Sequence, residues 1–84
     1  GARVELAARA QVGPGAVVGD DSRIGPDARV EGAVLWERVD VGAGAVLLEC
    51  VVGADVKIGA LARVGAGVVL ESGAVIPERT TLTR

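Results

Sequence analysis

The sequence predicts an all-β fold, a parallel β-helix solenoid in which short strands are joined by tight turns. Three observations lead to this prediction. An aliphatic residue returns at almost every sixth position, a small or β-branched residue lies two positions before each return, and glycine often follows the return. A period of six fits neither a helix nor a simple alternating strand. Such a fixed internal repeat is typical of solenoids, whose units bury a core only by stacking.

Each aliphatic residue begins one unit of the repeat. Consecutive starts are six residues apart, except that Val30 to Leu35 and Leu47 to Val52 are five apart. The starts, in order, are Leu6, Val12, Val18, Ile24, Val30, Leu35, Val41, Leu47, Val52, Ile58, Val64, Leu70, Ile76 and Leu82.

The small residue two positions earlier is predicted to share the inward face with the start. Alternate side chains of a strand lie on one face, so this pair fits a strand of about four residues. The two short units keep the small residue, so the missing residue must come out of the turn. Glycine directly after seven of the starts predicts a sharp turn there. The small series is Ala10, Ala16, Ser22, Ala28, Ala33, Val39, Ala45, Cys50, Val56, Ala62, Val68, Ala74 and Thr80.

Composition narrows the class of protein. Half of the residues are apolar, yet Trp36 is the one aromatic residue, so we expect a narrow core of Val, Ile, Leu and Ala. A net charge of −2 gives no reason to expect nucleic acid or a membrane as partner. Cys50 is the single cysteine, which excludes an internal disulfide. The chain contains no methionine and so has no natural start, and we expect residues 1–84 to be one domain from a longer protein.

The string V-G-P-G-A-V at 12–17 resembles the hexapeptide repeat of left-handed parallel β-helix proteins. This resemblance covers essentially the whole chain. It implies a triangular cross-section with three units per coil, about 4.5 coils and left-handed winding, although the general rule for β-crossovers gives the opposite hand. With three units per coil, the starts fall into three columns, one for each side of the prism.

The residue before each start points outward, and the three sides differ. The first side shows Glu5, Arg23, Asp40, Lys57 and Val75, and the second shows Gln11, Arg29, Val46, Arg63 and Thr81. The third side shows Val17, Val34, Val51 and Val69, with Trp36 after its strand and Leu48 in the short turn that leads to it. Valine favours strands in general. The sorting by side nevertheless predicts an interface, with a sister subunit or with another domain of the same polypeptide.

No catalytic, cofactor-binding or metal-binding residue is predicted in this chain. Histidine, the usual general base and neutral zinc ligand, is absent. Cys50 occupies an inward small position and is interpreted as a packing residue. The glycine-rich turns at 13–15, 42–44 and 65–67 lack the spacing of phosphate-binding loops. Asp20 and Asp21 are interpreted as solvated turn charges.

The run from Glu31 to Gly53 resembles the C-terminal β-helix domain of sugar-phosphate nucleotidyltransferases, such as the mannose-1-phosphate guanylyltransferases and glucose-1-phosphate thymidylyltransferase-like enzymes. The two short units carry this resemblance. It implies a non-catalytic domain that serves oligomerisation or regulation and packs against an N-terminal catalytic domain. The whole protein would be a cytoplasmic enzyme that joins a nucleoside triphosphate to a sugar 1-phosphate with Mg²⁺ and releases pyrophosphate.

Two alternatives remain open at this point. The chain could come from a hexapeptide-repeat acyltransferase whose histidine lies on another coil, or it could be a free-standing structural solenoid. The missing histidine and the absence of an inserted loop count against the acyltransferase.

Overall fold

The computed structural model describes residues 3–83, which form fourteen short β-strands and no helix. No helix in this part of the chain could therefore reach across a membrane. The strands are β1 (Glu5–Leu6), β2 (Gln11–Val12), β3 (Val17–Val18), β4 (Arg23–Ile24), β5 (Arg29–Glu31), β6 (Val34–Leu35), β7 (Asp40–Val41), β8 (Val46–Leu48), β9 (Val51–Val52), β10 (Lys57–Ile58), β11 (Arg63–Val64), β12 (Val69–Leu70), β13 (Val75–Ile76) and β14 (Thr81–Leu82).

Every third strand lies in the same sheet, so the chain winds through three parallel sheets in turn. Sheet A has the order β1-β4-β7-β10-β13, sheet B the order β14-β11-β8-β5-β2, and sheet C the order β12-β9-β6-β3. Four coils carry all three strands, and a fifth contributes β13 and β14. The predicted all-β solenoid with three units per coil is confirmed. Its left-handed winding stays a prediction.

The register places each repeat start beside the start of the next coil. On sheet A, for example, Ile24 pairs with Val41, and Val41 pairs with Ile58. On sheet C, Leu35 pairs with Val52. The three columns predicted from the spacing are therefore the three stacks of the structure.

The core is a single column of aliphatic side chains along the axis. The start and the small residue of each inner unit are both buried, as Val30 and Ala28 show at 0% exposure. A narrow prism offers no room for an aromatic ring, which explains why the core contains none. The buried core comprises Ile24, Ala28, Val30, Ala33, Leu35, Val39, Val41, Ala45, Leu47, Cys50, Val52, Val56, Ile58, Ala62, Val64 and Leu70.

The strands are shorter than the four residues predicted. Most contain two residues, the outward residue and the start. The small residue still takes part in pairing between coils through its carbonyl, since Arg29 N–H donates to Ala45 O at 2.8 Å. Its own N–H turns away to close the corner, as in Ala28 N–H to Gly25 O at 3.2 Å. Each unit thus consists of a short ladder of paired residues followed almost directly by a tight turn.

The glycines that follow the starts do not have the predicted role of making the sharp turn. The positive φ of each corner falls at the residue before the small residue, where nine described non-glycine residues adopt it, including Asp27 at 61°. None of the seven glycines that follow a start has a positive φ. Glycine is needed at five of these positions, because a Cβ there would lie less than 3 Å from backbone atoms of the next coil: Gly19, Gly25, Gly42, Gly53 and Gly59. A Cβ on Gly42 would lie 2.5 Å from Ala60 N, and one on Gly25 would lie 2.8 Å from Ala43 N.

The two five-residue units lack one residue of the turn, as predicted. Strands β5 and β8 gain a third residue, and Glu31 pairs with Leu48. The small positions stay in place, with Ala33 at 0% and Cys50 at 2% exposure. The predicted location of Leu48 was wrong, because it lies in strand β8 of sheet B and not in a turn.

Gly42→Ala tests the close approach of the coils. The new Cβ would clash with backbone atoms of the next coil, and overpacking of this kind costs about 1–3 kcal/mol. We expect a fall of roughly 5–20 °C in the unfolding temperature, measured by circular dichroism. Gly65→Ala is the matched control, since its nearest neighbour would be Leu82 O at 3.4 Å. An equal loss in both variants would show that contact with the next coil does not decide the effect.

Candidate functional site

The outward side of sheet C is an uninterrupted ladder of valines. Val17 pairs in register with Val34, Val34 with Val51, and Val51 with Val69. Their exposed fractions are 58%, 37%, 40% and 68%. The structure therefore brings the four predicted interface valines together on one solvent-facing surface.

The other two sides carry charges in the same positions. On sheet A, Glu5, Arg23, Asp40 and Lys57 are neighbours across the strands, and Arg23 Nε lies 3.4 Å from Glu5 Oε2. On sheet B, Arg29 and Arg63 flank Val46. Since all three sides share one backbone geometry, strand propensity alone does not account for the valines of sheet C.

Trp36 lies where sheet C meets the turn toward sheet A and is 58% exposed. The backbone N–H of Trp36 donates to Val52 O at 2.9 Å, so the next coil along the chain fixes the backbone at this position. A shallow recess of about 220 Å³ lies beside it, lined in part by Val51 and Val69. A flat ladder with an aromatic ring and a recess at one edge is suited to contact with another protein surface.

Ser22 supports this corner from inside and is a residue that the sequence interpretation did not single out. It is fully buried, and its hydroxyl donates to Trp36 O and accepts from Val39 N–H, both at 3.2 Å. In other corners the corresponding N–H bonds directly to its own turn, as Ala45 N–H does to Gly42 O. The sequence feature that could have identified Ser22 is its hydroxyl, because the small inward residues of the repeat are otherwise almost all apolar.

Leu48 borders the sheet C surface without belonging to it. It lies on the outside of sheet B at the corner with sheet C and is 37% exposed. A recess of about 410 Å³ extends from Leu48 past Val64 to Leu82. The apolar surface therefore continues around one edge of sheet C. Together these residues form a surface that we call the valine face: Val17, Val34, Val51, Val69, Trp36 and Leu48.

Charged side chains stand at the corners, where the residues with positive φ stack from coil to coil. Arg38 donates two hydrogen bonds to the carboxylate of Asp55, at 2.6 and 3.0 Å. Arg9 binds Asp27 in the same way, at 2.6 and 3.1 Å. Asp21 was interpreted as a solvated turn charge, but it pairs with Arg3 at 2.9 Å. The carboxylates of Asp21, Asp27 and Asp55 are thus held in ion pairs at the corners.

These pairs shift the ionisation of their members. The hydrogen bond from Arg38 lowers the pKa of the Asp55 carboxyl, and the bond from Arg9 does the same to the pKa of Asp27. The same contacts raise the pKa of both guanidinium groups. All four side chains are exposed, so solvent screens the gain in stability.

The described residues offer no reactive constellation. Cys50 lies in the core, where burial raises the pKa of its thiol to about 11, so it stays protonated at neutral pH. Within residues 3–83 no group of three or more Asp, Glu, Cys or His side chains could hold a metal ion.

Comparison with known families gives one match. The model of the family described as the GMPPB C-terminal domain matches residues 1–84, the whole of the sequence. A comparison with curated protein sequences gives no match.

Asp55→Asn tests the corner pairs. A carboxyl with a lowered pKa in the folded state stabilises the fold above its ordinary pKa of about 3.9, and this contribution is lost as the pH falls through the folded pKa. We expect the variant to unfold at a lower temperature at pH 7 and to lose less stability than the wild type between pH 5 and pH 2. Glu78→Gln is the control, because no ion pair is described at Glu78. Equal pH profiles in the wild type and Asp55→Asn would contradict the prediction.

Proposed function

The chain belongs to the GMPPB C-terminal domain family, and from this membership we propose that it is the non-catalytic domain of a mannose-1-phosphate guanylyltransferase-like protein. In that protein the chemistry takes place on another domain, which joins a nucleoside triphosphate to a sugar 1-phosphate with Mg²⁺ and releases pyrophosphate.

The single observation that carries the proposed role is the valine face. Water-exposed sheets of this chain carry charged or polar residues on two sides and valine on the third. A contiguous apolar surface of this kind is suited to permanent cover by protein. We therefore assign the domain a contact function, with the valine face as the contact.

The size of the valine face favours a tethered domain over a second copy as its partner. Its six side chains expose on the order of 500 Å², whereas a standard stable interface buries about 800 Å² on each partner. A contact of this size holds well when a linker supplies an effective concentration in the millimolar range. We propose that the valine face packs against the catalytic domain of the same polypeptide.

The paired charges at the corners fit this arrangement. Arg38 and Asp55 border the sheet C side and already satisfy each other. A partner that covers this edge of sheet C therefore meets a charge pair in which each member already has its counterion.

The double variant Val34→Lys/Val51→Lys tests the proposal in the longer protein. Both side chains point to solvent in the isolated domain, so the coils remain folded. We expect the contact with the catalytic domain to weaken, and the junction between the domains to be cleaved at least about tenfold faster in limited proteolysis. Val75→Lys is the matched control, since Val75 is 69% exposed on sheet A and lies outside the valine face.

Light scattering on the isolated domain separates the two kinds of partner. We expect the mass of one chain, 8.4 kDa, with or without the lysines. If the wild-type domain is a dimer and the two lysines dissociate it, the partner of the valine face is a second copy of the chain and not the catalytic domain. Unchanged proteolysis of the longer protein, together with a monomeric domain, would refute the contact function.

A further inference from the structure

One exposed cation on the outside of sheet B has no counterion among the described residues. Arg63 lies between Val46 and Thr81 in the register of the strands. No carboxylate of the described residues forms an ion pair with its guanidinium group. Arg29, the other arginine of this ladder, has Glu31 Oε1 at 3.9 Å from its Nε. Arg63 is therefore free to bind an anion that lies outside this part of the chain.

The outward charges of sheet A are arranged differently, because they alternate in sign from strand to strand. Each cation of this ladder lies beside a carboxylate, in the order Glu5, Arg23, Asp40 and Lys57. The residues before the starts of sheet B include no carboxylate and are Gln11, Arg29, Val46, Arg63 and Thr81. Two ladders with the same backbone geometry thus differ in whether their cations find a counterion on the same sheet.

Arg63 borders the recess of about 410 Å³ that begins at Leu48. Thr81 also lines this recess, and no described carboxylate does. The carboxylates of the nearby corner, Glu31 and Glu49, line a separate recess of about 310 Å³ that shares only Leu48 with the first. The recess beside Arg63 thus combines apolar surface, a hydroxyl group and one positive charge. This combination suits the carboxylate side chain of another protein surface.

Leu48 connects this recess to the valine face, of which it is a member. A protein surface that covers the valine face and follows its apolar edge around Leu48 reaches Arg63 next. Covering a guanidinium group without an anion is costly, because the charge loses its water and gains no counterion. Aspartate and glutamate are the anionic side chains of proteins at neutral pH, and their carboxylates accept two parallel hydrogen bonds from arginine. The partner of the valine face must therefore bring a carboxylate to this place.

We propose that the contact with the catalytic domain extends from the valine face around Leu48 onto sheet B, where Arg63 binds a carboxylate of that domain. This inference rests on the proposed function, which names the catalytic domain as the partner. Apolar contact has no preferred direction, so the valines alone do not fix how the partner is turned. An ion pair with two hydrogen bonds fixes the register of the two surfaces. Arg63 thus orients the domains relative to each other.

Arg63→Lys in the longer protein tests the ion pair directly. A carbodiimide joins an amine to a carboxylate without a spacer, so only groups in contact react. Lys57 is the single lysine of the chain and lies on sheet A, so it is the control amine in the same sample. We expect mass spectrometry to find a cross-link from position 63 to an aspartate or glutamate of the catalytic domain, with a yield at least about fivefold above that from Lys57.

Limited proteolysis of the longer protein tests the sign of the partner's charge. We expect Arg63→Gln to speed cleavage of the junction between the domains by about two- to fivefold, since one ion pair at the edge of the contact is lost. Arg63→Glu speeds it further, because two carboxylates then repel each other. Lys57→Gln is the matched control. It removes a cation from the same position of a sheet A unit, so the rate stays unchanged.

The outcomes separate this inference from the proposed function, once circular dichroism has verified that each variant is folded. If Val34→Lys/Val51→Lys speeds cleavage but Arg63→Glu does not, the valine face remains the contact and the ion pair is refuted. Equal rates for Arg63→Gln and Arg63→Glu would also refute it, since the partner group would then carry no negative charge. A cross-link from position 63 to a second copy of the chain would overturn it as well. Unchanged cleavage in all of these variants would refute both the ion pair and the proposed function.

Discussion

Hydrogen bonds between successive coils are the interaction on which the rest of this domain depends. One coil has only two or three paired residues on each sheet, and alone it could bury neither its backbone groups nor its side chains. Stacking satisfies both needs at once, because the coil below accepts the N–H groups and covers the inward pair. Leu35, which lies between two described coils, is 1% exposed, so the cover that neighbouring coils provide is nearly complete. Stability in such a fold is a sum over neighbouring coils.

The close stacking of coils explains the residues at the corners. The first residue of these turns lies against the backbone of the next coil. Gly25 and Gly42 fit there because glycine has no Cβ. The positive φ falls two residues later, where the side chain stands clear of the neighbouring backbone. At the corner from sheet C to sheet A, arginine and aspartate occupy that position in alternate coils, and pairs such as Arg38 and Asp55 bind each other. The conformational cost of a positive φ at these residues is offset by the bonds between coils.

The three sides of the solenoid carry different residues. Sheets A and B carry charges that suit water, and sheet C carries valines beside Trp36 with no charge among them. The buried Ser22 holds the backbone of that corner, which couples the core to the contact surface. Folding uses the inward positions of every unit, so the outward positions are free to specify contacts.

The sequence by itself determined the solenoid, the three columns, the inward pairs and the four valines of sheet C. The repeat and the inward pairs follow from spacing, and the three columns, with the valines sorted onto one of them, follow once the resemblance supplies three units per coil. The sequence did not determine why glycine follows the starts, that Leu48 belongs to strand β8, or that Ser22 bonds to the corner of Trp36. Those features depend on the distance and offset between coils, which link residues about 17 positions apart. Only the tertiary structure decided them, because the contacts that select these residues lie in the neighbouring coil.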